Sequence, residues 1–236
     1  MNTADILKEI EKAGNPSVKK TLLKHGAREP LYGVKIEDLK KIQKKVRENH
    51  QEIALQLFDT GIGDAMYLAG LMADGSKMSR QQLQHWAKKA NGQMISEYSV
   101  PWVACENEAA VQLALEWIDS PEANVACTGW NTLGNIAATT PDEKLDLSQF
   151  EKLLGRVEQQ IERSPNRVRY CMNAFVIAIG SYVKSLNKKA IDTGQNIGNV
   201  EVDMNGTSCK VPYAPAYIKK IMDKGFLGKK KKTAKC

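Results

Sequence analysis

The sequence predicts an all-α fold, an α-solenoid of short helices, and three observations carry that prediction. Apolar residues recur at steps of three and four along nearly the whole chain up to Lys189, the spacing of one helix face. The helical stretches are about 10–15 residues long, and brief turns rather than long loops join them. No stretch of alternating apolar and polar residues interrupts them before residue 199.

The elements follow in order. Thr3 opens a helix to about Ala13 with Ile6 and Ile10 on one face, and Gly14-Asn15-Pro16 breaks it. A second helix runs to Lys24 and stops at Gly26. Tyr32-Gly33-Val34 reads as a turn. Leu39, Ile42 and Val46 then make the stripe of a third helix, whose other side carries Lys40, Lys41, Lys44, Lys45 and Arg47. Ile53, Leu57 and Phe58 mark a fourth helix; Ala65, Leu68, Leu71 and Met72 mark a fifth. Further helices are expected from Ser79, over Met94–Val103 and over Ala109–Ile118. Two more are expected over Val125–Ala138 and Phe150–Ile161.

The stretch RSPNRVRYCMNAFVIAIGSYVKSLNKK, residues 163–189, reads as one long helix with Ser164 as N-cap and Pro165 in its first turn. Val168, Met172, Phe175, Ile179, Tyr182 and Leu186 share a face. Lys184, Lys188 and Lys189 suit the negative end of a helix dipole. Arg163, Arg167 and Arg169 do not suit the positive end; either they serve an anion or they are ordinary solvated surface. Beyond Lys189, Val200, Val202 and Met204 alternate, Asn205-Gly206 is a hairpin turn signal, and Cys209 and Val211 alternate in return. A small C-terminal β-hairpin is therefore expected at about 199–211, followed by a last helix over Ala214–Lys224. One reading is that it caps the open end of the solenoid. Residues 1–228 read as one domain and 229–236 as a disordered lysine-rich tail.

Charge is unevenly spread over a chain of net charge +7. Residues 19–47 carry ten Lys/Arg against three Asp/Glu, residues 48–162 seven against seventeen, and residues 163–236 fifteen against four. Such a basic–acidic–basic pattern fits a polyanion held by both ends of the chain. No apolar run approaches the ~20 residues that span a bilayer. The N-terminal segment is amphipathic and contains acids, unlike a secretory signal, so a soluble, cytoplasmic protein is expected. Cys105, Cys127, Cys171, Cys209 and Cys236 are scattered and form no C-x-x-C pair, as in a reduced protein. His25, His50 and His85 lie far from any such pair. No metal site and no cofactor are expected, and no phosphate-cradling glycine loop or nucleophile motif is present.

The turn and helix YGVKIEDLKKI, following two short helices, resembles the AlkD-like DNA alkylation repair family. The resemblance spans most of the chain through helix order, although the motif is short. It implies HEAT-like helix pairs holding duplex DNA in a concave, basic channel, with a hairpin near that channel whose Asn205 and Gly206 would contact a groove or junction. It also implies, in the active members, a Trp and an Asp one helical turn apart, with an Arg and a second Trp from later helices. Aromatic faces stabilise a cationic alkylated base, and the carboxylate offsets charge developing on the sugar. By helix order the Trp–Asp helix falls within residues 91–104, where Glu97 is the only carboxylate and Gln93 stands one turn earlier. The Arg position meets Cys127, and the last Trp position falls near Ile177. Tyr98, Trp102 and Trp130 could build a different wall around Glu97, or could simply be core.

Two main readings result. The first is a DNA-binding α-solenoid that contacts the backbone of duplex or branched DNA independently of sequence and lacks ordinary alkylpurine excision. Its contacts would be Lys40, Lys44, Lys45, Arg47, Arg163, Arg167, Arg169, Lys188 and Lys189. The alternative is an active DNA glycosylase for N-alkylated purines with Glu97 as catalytic carboxylate. A protein-binding helical-repeat scaffold is a third, more remote reading.

Overall fold

The computed structural model describes residues 1–236 and is helical throughout, with thirteen α-helices, one π-helical turn, short 3-10 turns and no strand. The chain divides into two compact units. One holds Met1–Glu108 with Asn205–Thr207 and Lys235–Cys236; the other holds Ala109–Met204 and Ser208–Ala234.

In the first unit, α1 (Thr3–Ala13) is capped by Asn2, which accepts from the Asp5 backbone N–H at 2.9 Å while Asp5 answers back. Ile6 and Ile10, one turn apart, are buried. In α2 (Pro16–Lys24), Asn15 accepts from the N–H groups of Ser17 and Val18, and Pro16 sits in the first turn, where its missing donor costs nothing. Next come α3 (Ile36–Lys45) and α4 (His50–Asp59), each burying one stripe. The fifth helix, α5 (Gly63–Met72), is buried on every side and packs against α1, α3 and α4. Its sequence explains this: GDAMYLAGLM is apolar all round except for Asp64. After α6 (Arg80–Lys89), opened by a Ser79–Gln82 capping box, a π turn over Ile95–Ser99 runs into α7 (Val100–Ala104).

The second unit contains α8 (Ala110–Trp117), α9 (Ala123–Thr139), α10 (Leu147–Gln160), α11 (Asn166–Tyr182), α12 (Asn187–Ile197) and α13 (Ala214–Asp223). Its core is built on α11, which packs chiefly on α9 and then on α12 and α13. Phe175 of α11 meets Trp130 edge-on at 5.2 Å and stacks near Phe150 at 6.2 Å. Pairs of this geometry contribute about 0.5–1.5 kcal/mol each beyond the area they bury.

Four expectations need correction. The stretch read as one helix through Lys189 is two helices, because α11 ends at Tyr182. Val183 adopts an extended backbone, and the Asn187 side-chain amide donates to the Gly180 carbonyl at 2.6 Å, satisfying a group the helix end leaves open. Ser164 is not the N-cap; its hydroxyl donates to the Gln160 carbonyl at 2.9 Å at the end of α10, and Pro165 occupies the cap position.

The β-hairpin at 199–211 is not formed. Its turn exists, with Asn205 and Gly206 both at positive φ, 56° and 66°. No β-strand forms in either arm, and the backbone of Asp203 in the first arm is held by α11. The Asn166 amide donates to the Asp203 carbonyl at 2.9 Å and accepts from the Asp203 N–H at 2.7 Å, as a neighbouring strand would. Asn173 donates to the Pro212 carbonyl at 2.9 Å and holds the other end.

Residues 229–236, where the sequence reads as a disordered tail, make specific contacts. In the second unit Lys230 pairs with Asp142 at 2.7 Å and donates to the Ala137 carbonyl at 2.7 Å. The Lys231 N–H reaches the Ala138 carbonyl at 2.8 Å. These are carbonyls that the last turn of α9 leaves without helical partners. In the first unit Lys235 pairs with Glu106 at 3.0 Å and donates to the Ala73 carbonyl. No helix is long and apolar enough to cross a membrane.

Candidate functional site

The basic face of α3 is set by the turn before it. The Tyr32, Gly33 and Val34 N–H groups all point at the Asp64 carboxylate, at 2.6, 3.2 and 2.7 Å. Asp64 is buried, so these charge-assisted bonds are what makes its charge tolerable there. They also fix the turn that delivers Lys35 to the N-cap of α3. Sequence reasoning missed Asp64, although a lone acid in an otherwise apolar helix was a usable signal.

Beyond that turn, Lys40, Lys44 and Arg47 have no acidic partner, whereas Lys45 pairs with Glu9 at 2.6 Å. The second basic group lies at the start of α11. Arg163 is exposed without an ion pair. Arg167 lies over the Tyr170 ring at 4.2 Å and against the Met204 sulfur at 3.4 Å. Arg169 is half-buried, and its Nε is enclosed without a hydrogen-bond partner. The two lysines of α12 are engaged within the protein. Lys188 pairs with Asp192 at 2.8 Å, and Lys189 with Glu158 at 3.5 Å. Burial disfavours the Glu158 carboxylate, but hydrogen bonds from Thr193 and Asn196 and the Lys189 charge outweigh it and hold its pKa below the usual value.

Glu97 lies in the π turn and is only 3% exposed. Pro101 accounts for the turn: it has no N–H to give the Glu97 carbonyl, and its ring crowds that carbonyl, so the helix widens ahead of it. The π turn is pressed onto α5 at Gly70, where an added Cβ would stand 2.7 Å from the Ser99 Cβ. Next to Glu97, Tyr98 is 41% exposed, its ring 6.2 Å from that of Trp102. Trp102 itself is buried and meets Tyr67 edge-on at 5.5 Å. Trp130 is buried in the second unit's own core against Phe175, with the Arg156 guanidinium 5.8 Å above its ring. Gln93, one turn before Glu97, lies across Gly26 and is packed rather than presented. Cys127 is buried and Ile177 half-buried. Burial, with the charge of Glu106 adding to it, pushes the Cys105 thiol up to about 12, so it is no ready nucleophile.

Short amphipathic helices packed in succession, with clustered cations lacking acidic partners, define a helical-repeat protein with basic surfaces. Its fold matches a solved structure described as a new family of proteins related to the HEAT-like repeat DNA glycosylases with affinity for branched DNA structures. The TM-score is 0.91 and the identity 32%, with all of both chains covered. The chain belongs to the DNA alkylation repair enzyme family, whose pattern it matches over residues 6–218. Protein Lin0241 of Listeria innocua serovar 6a is 31% identical over 222 residues, 92% of this chain and 95% of that protein. Protein Lmo0209 of Listeria monocytogenes serovar 1/2a is 30% identical over the same length, with the same coverage.

Proposed function

We propose that this protein binds DNA through its phosphate backbone, prefers branched DNA, and does not carry out ordinary alkylpurine excision. The observation that carries the reading is the set of cations without acidic partners: Lys40, Lys44 and Arg47 after the Asp64-held turn, and Arg163 and Arg169 at the start of α11. Arg169 stands in the first turn of α11, where the dipole disfavours a cation, so a bound anion is the partner that makes its placement favourable, and Arg163 ends the 3-10 turn just before it. Arg167 joins them as a planar donor held over Tyr170. Lys45, Lys188 and Lys189, which neighbouring acids already neutralise, contribute less. Backbone contacts of this kind are independent of sequence. The preference for branched DNA rests on the 32% identical structural relative, which has that affinity. The loss of excision rests on Gln93, Cys127 and Ile177 standing where the family resemblance calls for Trp, Arg and Trp.

One observation favours a second reading. Glu97 is a buried carboxylate in a π turn beside the exposed ring of Tyr98, and π turns are frequent at functional sites. A glycosylase using Glu97 would need that carboxylate against the sugar of a lesion. Incubating the protein with DNA carrying N-alkylated purines, while measuring binding to forked and linear duplexes, separates the two. Tight binding to the fork without base release is the expected result. Release that Glu97→Gln abolishes would establish the second reading instead.

A further inference from the structure

The last helix, α13, has two sides of opposite character. Ala214 and Ile218 are fully buried, and Ile218 packs so closely on α11 that its Cδ1 stands 2.4 Å from where a Cβ on Gly180 would lie. Tyr213, Tyr217, Lys220 and Lys224 follow one another at steps of four, three and four residues, so they stand in one line along the helix. All four are exposed, Tyr213 at 40% and Tyr217 at 46%. Neither tyrosine ring stacks on another ring, neither hydroxyl has a partner, and neither lysine has an acid. The contrast with Lys219 is instructive, since it pairs with Asp223 at 3.0 Å on the adjacent line of the same helix.

We propose that this line is a stacking platform for unpaired nucleotides, with Tyr213 and Tyr217 taking base faces and Lys220 and Lys224 taking the phosphates that follow. The line is about 16 Å long, from a rise of about 1.5 Å per residue, which suits a short run of strand rather than a single nucleotide. The chemistry argues against a protein partner. Aromatic anchors at protein interfaces sit within an apolar core, and lysine is depleted there. Open rings followed by lysines without acidic partners instead reproduce what sequence-tolerant single-strand binding needs. A duplex cannot use the platform, because its base faces are already stacked; only an unpaired arm presents them. The inference deepens the proposed binding of branched DNA and rests on it, naming the part of a branch that α13 would hold.

The test is fluorescence anisotropy with a labelled oligothymidylate, a blunt duplex and a duplex carrying a single-stranded arm. Replacing Tyr213 and Tyr217 together by Ala is expected to weaken oligothymidylate and armed-duplex binding about ten-fold or more, leaving the blunt duplex unchanged. The Tyr→Phe pair, which keeps the rings, is expected to bind as the wild type does. Replacing Lys220 and Lys224 by Gln is expected to lower the salt slope for oligothymidylate by about 1.4. Circular dichroism melts that match the wild type would confirm that the surface variants fold. Unchanged oligothymidylate binding by the Ala pair would overturn the platform, as would wild-type protein that binds the blunt duplex but no oligothymidylate. Wild-type protein that binds none of the three would overturn the DNA-binding reading itself, and the platform with it.

Discussion

Asp64 and Glu158 are acids whose charge supports the fold from within, and each makes a testable difference. Asp64 collects three backbone N–H groups from the Tyr32–Val34 turn. Asp64→Ala leaves those donors without a partner in a buried setting and is expected to lower stability by about 3 kcal/mol in urea unfolding. Weaker DNA binding by this variant should follow, because α3 would no longer start from a fixed point. Glu158 has its pKa lowered in the folded state from an ordinary 4.5. Its contribution is therefore full above that ordinary value and is lost as the pH falls through the lowered one. The stability gap between wild type and Glu158→Gln is expected to be widest near neutrality and to close on acidification. A gap independent of pH would contradict this assignment. Which cations are available was only partly legible in the sequence. The charge runs were plain, but Lys189 finds Glu158 from 31 positions away and Lys45 finds Glu9 from 36. Pairings at such distances follow from packing and not from local pattern.

At the scale of elements, periodicity served well wherever one face was buried, and α1, α3, α4 and α10 lie where their apolar stripes place them. It misled where the apolar stripe outlasted the helix. Val183 and Leu186 continue the α11 pattern as buried residues, so nothing local signals the break at Tyr182. The hairpin failed for a different reason. Its Asn-Gly turn signal was correct, but the strand partner is a side chain, Asn166, 37 positions upstream. Asn166→Ala is expected to free the first arm of the 199–212 segment, with faster amide exchange at Asp203 and a destabilisation of about 1–2 kcal/mol. Unchanged protection at Asp203 would show that other groups hold the arm. The π turn at Glu97 was invisible to pattern reading; Pro101 was its only trace, and a proline more often ends a helix than widens one.

For the whole molecule, charge distribution was the most informative property of the sequence. It located the basic stretches on either side of an acidic middle. Among the cations without acidic partners are Lys40, Lys44 and Arg47 at α3, Arg163 and Arg169 beside and within the first turn of α11, and Lys220 and Lys224 of α13. The proposed backbone binding of DNA depends on the cations of α3 and of the start of α11 neutralising phosphates. The decisive measurement is the salt dependence of affinity for a forked DNA, in wild type and in a variant with Arg163 and Arg169 changed to Gln. Log affinity is expected to fall linearly with log salt, and the double variant is expected to lower the slope by about 1.8, or about 0.9 for each phosphate no longer neutralised. An identical slope in both proteins, or no binding at low salt, would contradict the proposed role of these cations.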